Sequence, residues 1–152
     1  MYQRVLVPLD GSRVAEAILP FIEQIAGPLD MEVLLVRVVP LTSMDVAAMA
    51  KEAQRGEPIL KELDAQGYLE PLVASLKAKG VRAGARVRIG DPATEIVAAA
   101  KEINADLIAM TTHGRSGLGR LLFGSVAEAV LRGSPIPVFL LRTSEAALES
   151  AA

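Results

Sequence analysis

Short aliphatic runs alternate along this chain with longer stretches of helical spacing, and that alternation limits the fold more than any other feature. Residues 5–9 are apolar and end in Asp10-Gly11-Ser12, a buried strand running into a turn. Val14, Ile18, Phe21, Ile22 and Ile25 then recur at helical spacing. Ser12 is placed to cap that helix, because its hydroxyl can accept from a free first-turn amide. Pro20 falls inside the same pattern and predicts a bend, since it removes one backbone hydrogen bond. Gly27-Pro28 ends it.

The pattern repeats. Residues 32–39 are mostly Val and Leu and read as a second buried strand, closed by Pro40. Residues 41–57 give no clear period. Residues 58–79 are helical in spacing, weakened by Gly67 and Pro71 and stopped at Gly80. In residues 81–89, Arg82, Arg86 and Arg88 are interspersed with Val81, Val87 and Ile89, which predicts a strand near the sheet edge. Asp91 and Pro92 suit the cap and first position of a helix over 94–103. Strands over 106–112 and 138–141 flank a glycine-rich loop at 113–123 and a short helix from Gly124-Ser125 to Arg132. Strands alternating with helices predict an open α/β fold: one parallel sheet with helices on both faces and right-handed crossovers.

Composition narrows the function classes. The chain has 152 residues, 51% hydrophobic and only 3% aromatic, so one domain with an aliphatic core is expected. That domain spans 1–143, with 144–152 as a flexible tail. The net charge of −2 argues against nucleic acid as a partner. The absence of cysteine excludes disulfides and thiolate metal sites. Neither a signal peptide nor an apolar run of about 18 residues is visible, so the expectation is a cytoplasmic protein without a membrane span.

In open α/β sheets, ligands sit beyond the carboxyl ends of the strands, where strand order reverses. Asp10-Gly11-Ser12 is there either as a turn and cap or as a ligand contact. Gly90-Asp91-Pro92 reads mainly as a turn and cap. The stretch 111–125 is the richest: Gly114, Gly117 and Gly119 let the backbone approach a ligand, and Arg115 and Arg120 add positive charge. Gly124-Ser125 opens a helix whose first N–H groups attract anions. These features describe a phosphate cradle; the competing reading is a solvent loop. No Walker A or Rossmann fingerprint is present. His113, the single histidine, lacks partners for a metal site. No nucleophile elbow, triad or paired acid and base is visible, which leaves at most a slow ATPase.

Taken together, the order and spacing of several pieces resemble the universal stress protein family over essentially the full length. They are residues 7–12 (Val-Pro-Leu-Asp-Gly-Ser), the Val-rich second strand, Gly90-Asp91-Pro92, residues 106–117, Gly124-Ser125-Val126 and residues 135–142. The family's ATP-binding motif is glycine, two residues, glycine, nine residues, then glycine and Ser or Thr. Gly114, Gly124 and Ser125 fit it, and Thr111 stands where the first glycine belongs. The resemblance implies a five-stranded sheet of order 3-2-1-4-5 and an adenine nucleotide, ATP or AMP, with Mg²⁺ carried on its phosphates. It implies Pro8, Asp10 and Val38 around adenine, and Met110 and Thr111 near the ribose. It implies His113, Gly114, Arg115, Ser116, Gly117, Gly124, Ser125, Val126 and Ala127 around the phosphates. It further implies a stress-response regulator that dimerises through the last strand, Ile136 to Leu141. A dimeric interaction module without nucleotide is the alternative.

Overall fold

The aliphatic runs form the strands. In the computed structural model, which describes residues 2–41, 43–56, 60–113 and 124–143, β1 is Arg4–Pro8, β2 Glu32–Val39, β3 Ala83–Ile89, β4 Leu107–His113 and β5 Val138–Thr143. They make one parallel sheet in the order β3-β2-β1-β4-β5. Successive side chains of a strand point to opposite faces, so β1 supplies Val5 and Val7 to one core and Leu6 to the other. Both cores are almost wholly aliphatic, as the low aromatic content requires.

On the first face lie α1 (Arg13–Glu16), α2 (Leu19–Ala26) and α4 (Leu60–Ala78), where Leu19, Ile22, Leu69 and Leu76 are buried together with Ile18 of the α1–α2 link. On the second lie α5 (Pro92–Glu102) and α6 (Ser125–Gly133), through Ile96, Ala99, Ala100, Ala127 and Val130. Burying each larger aliphatic side chain contributes roughly 1.5–3 kcal/mol, so two filled faces hold the sheet between its helices.

Local chemistry sets the element ends. Ser12 Oγ accepts from Ala15 N at 3.1 Å and caps α1. Asp91 caps α5, accepting from Thr94 N at 3.0 Å and Thr94 Oγ1 at 2.7 Å. Gly80 ends α4's turn at φ +81°, where a side chain would be strained.

One expectation needs correction. The single bent helix over 14–25 is two helices, broken at Ala17–Ile18. Pro20 sits in the first turn of α2, where its missing N–H has no partner to lose. Segment 41–57, whose composition left partial helix or mobile chain open, contains α3 (Ser43–Gln54). By contrast, α4 runs on through both Gly67 and Pro71, because Leu69 and Leu76 are fully buried against the sheet and outweigh the local cost. The tail from 144, and the loop from Gly114 to Phe123, lie outside the described residues.

Candidate functional site

The site begins with a pairing defect. β1 pairs with β2 over its whole length, and Leu9 N still donates to Val36 O at 2.9 Å beyond the strand end. Its ladder with β4 spans only Val5–Leu107 and Leu6–Ile108. Past that point β1 and β4 are no longer paired, and this is the place where strand order reverses. A cavity of about 690 Å³ opens there, within the 300–1,000 Å³ usual for small-molecule sites.

Nine of the residues singled out from sequence line that one cavity: Pro8, Asp10, Val38, Met110, Thr111, Gly124, Ser125, Val126 and Ala127. His113 closes β4 and pairs in register with Thr143. Its side chain, with Gly114, Arg115, Ser116 and Gly117, lies outside the described residues. Further cavity walls come from Leu9, Val14, Ala15, Val36, Arg37, Val39, Pro40, Pro92, Ile96 and Thr112, and from Lys61, Asp64 and Ala65 on α4.

The two banks differ in charge. On the β4 bank, α6 starts at Gly124, which makes no side-chain cap bond. Among the described residues the first amides of α6 therefore have no side-chain cap, and they carry the positive end of the helix dipole. On the opposite bank, Asp10 Oδ1 accepts from Ser12 N at 2.9 Å, and Asp64 is exposed on the first turn and a half of α4. Lys61 is paired with Asp45 of α3.

Beside Gly11 and α4, the Arg37 guanidinium lies over the Tyr68 ring, 4.7 Å from its centroid. Tyr68 Oη donates to Glu16 Oε2 at 2.8 Å. Burial, and then the hydrogen bond to Glu16, push the Tyr68 phenol well above its ordinary range, so it stays neutral. Gly11 passes so close that an added Cβ would meet the Arg37 guanidinium nitrogens at 3.3 Å, and its φ of +90° favours glycine independently. The arrangement offers anion-seeking amides at one end and hydroxyl- or amine-accepting carboxylates at the other.

Comparison with known proteins identifies the family and the fold. The sequence profile of the universal stress protein family covers residues 1–142. The chain belongs to the universal stress protein family. A universal stress protein of Methanothermobacter thermautotrophicus is 35% identical over 150 residues, covering 94% of this chain and 97% of that one. Among solved structures, protein MJ0577 of Methanocaldococcus jannaschii matches with a TM-score of 0.77 at 29% identity, covering 95% and 99% of the two chains. A universal stress protein solved in complex with cAMP matches with a TM-score of 0.67 at 27% identity, covering 94% and 98%.

Sequence reasoning missed Arg37 and the α4 wall, while Thr112 fell inside the stretch 111–125 without a role of its own. Arg37 had a visible signal: a charged residue interrupting a strand that is otherwise aliphatic from Val33 to Val39. The α4 residues had none, because only the crossover from β2 brings them to the crevice.

Proposed function

We propose that the cavity binds an adenine nucleotide, ATP or AMP, and that the protein works in the cytoplasm as a stress-response regulator or sensor. One observation carries the reading: the start of α6, without a side-chain cap, opens into a cavity of nucleotide size at the strand-order reversal. The family membership and the cAMP complex of a relative support it. On this reading Pro8, Asp10 and Val38 surround the purine, and Met110 and Thr111 lie beside the ribose. His113, Gly114, Arg115, Ser116 and Gly117 join Gly124, Ser125, Val126 and Ala127 around the phosphates. On this reading Mg²⁺ would be carried by the phosphates.

Among the described residues β5 is an edge strand with no partner on its outer side, which supports a dimer formed through the last strand. Phe139 is exposed there, and an uncovered apolar edge strand invites pairing. Among the described residues no helix is long and apolar enough to cross a membrane.

The test is acid extraction of freshly purified protein, with the released nucleotide identified by chromatography and ATP and AMP then titrated by calorimetry. Saturable binding of either supports the reading; no binding at millimolar ligand overturns it. The alternative, an interaction module without nucleotide, is favoured by Thr111, whose side chain enters the cavity wall. It requires Thr111→Gly to create binding that the parent lacks.

A further inference from the structure

Thr112 is a buried polar residue, 2% exposed. Among the described residues its Oγ1 has no hydrogen-bond partner. Buried hydroxyls are nearly always satisfied, because desolvation without a compensating bond is costly. This one therefore needs an explanation, and its position suggests one. Alternation along β4 places Thr112 on the face of Ile108 and Met110, which pack with Ala127 and Val130 of α6. Thr112 thus lines the cavity together with the Gly124–Ala127 turn that starts α6.

We infer that Thr112 is a further ligand-anchoring residue, whose hydroxyl donates to an anionic oxygen held at the start of α6. The inference rests on the nucleotide reading and deepens it, assigning a phosphate contact to a side chain in the strand before the glycine-rich loop. Rotation about Cα–Cβ moves the hydroxyl between three staggered positions, so a group held in the wall reaches an acceptor in one rotamer step. Unpartnered among the described residues, the hydroxyl costs stability without ligand; in the complex it is satisfied. Stability is thereby exchanged for a ligand contact.

The opposing roles give a double signature. Thr112→Val keeps the side-chain shape and removes the hydroxyl; Thr112→Ser keeps the hydroxyl. Thermal melting without ligand and calorimetry with ATP and adenosine are run on all three proteins. Thr112→Val is expected to melt a few degrees higher than the parent, roughly 2–4 °C. It is expected to bind ATP about tenfold more weakly, the loss typical of a hydrogen bond to a charged group, with adenosine unchanged. Thr112→Ser should retain most of the ATP affinity. ATP binding by Thr112→Val equal to the parent's overturns the inference and leaves the nucleotide reading standing. Equal losses for ATP and adenosine overturn it too, as damage to the pocket. A parent that binds no ATP overturns both.

Discussion

Thr111 Oγ1 donates to the carbonyl of Ala15 at 3.3 Å, joining the end of β4 to α1 across the cavity. The partner is available because α1 stops at Glu16 and α2 begins only at Leu19, so Ala15 does not sit inside a continuous helix. The threonine that departs from the family's glycine thus bridges the two sides of the crevice. Two substitutions separate its roles. Thr111→Val should lose the bridge and cost about 0.5–1.5 kcal/mol in chemical denaturation. Thr111→Gly loses the same bridge and adds about 1 kcal/mol through strand entropy while widening the cavity, and should raise nucleotide affinity by calorimetry. Unchanged affinity would show that the threonine does not limit the site.

Tyr68 ties α4 to α1 through Glu16 and supports Arg37 from below. Tyr68→Phe removes the hydrogen bond and keeps the ring, so it should cost about 1 kcal/mol in urea titration. Tyr68→Ala also removes the platform under Arg37 and the packing of the ring. It should cost at least 2 kcal/mol more, since large-to-small changes lose both transfer and cavity terms. Equal effects of the two would mean that the ring contributes nothing.

Leu69 tests why α4 survives an internal proline. It is fully buried on the first face of the sheet, and Leu69→Ala should cost about 2–5 kcal/mol. The exposed Leu63 of the same helix should change stability by less than about 1 kcal/mol when truncated. Comparable losses at both positions would place the stability of α4 in local propensity rather than in packing.

Asp106 and Asp91 give the acid side of the stability profile. Backbone N–H donation from Gln3 and Arg4 holds the Asp106 carboxyl below its ordinary value of 3.8. The amide and hydroxyl of Thr94 do the same for Asp91. A folded-state value depressed below the unfolded one contributes stability that is complete above the unfolded value and lost as pH falls through the folded one. Thermal melting should therefore be insensitive to these groups near neutrality and decline below about pH 3.8. Asp106→Asn should be less stable at pH 7 and show a shallower acid decline. A parallel acid profile for parent and variant would remove Asp106 from this account.

The strands were legible because buried parallel strands announce themselves locally. The boundaries of β2 at Glu32 and Val39 follow from aliphatic residues closed by Pro40. Sheet order came from the resemblance, not from any residue pattern. The helix break at Ala17–Ile18 was not legible, because Pro20 fits both the interior of one helix and the first turn of the next. α3 was hidden by its weak segregation of polar and apolar residues around the helix. Asp10, Thr111, Thr112, Gly124 and Ser125 were readable from the loops after β1 and β4, whereas Pro8, Val38, Met110, Val126 and Ala127 came only with the resemblance. Arg37 and the α4 wall are products of tertiary placement: Lys61 and Asp64 line the same cavity as Val38 and Pro40 only because α4 crosses back over the sheet.

The central claim is that a nucleotide sits between β1 and β4 with its phosphates at the start of α6. Amide chemical-shift mapping by NMR during titration with ATP and Mg²⁺ tests it most directly. The account predicts saturable shifts concentrated at the amides of Ser125, Val126 and Ala127, with smaller ones at Asp10, Val38 and Thr111. The absence of saturable shifts, or shifts gathered on a surface away from the β1–β4 crevice, would contradict it.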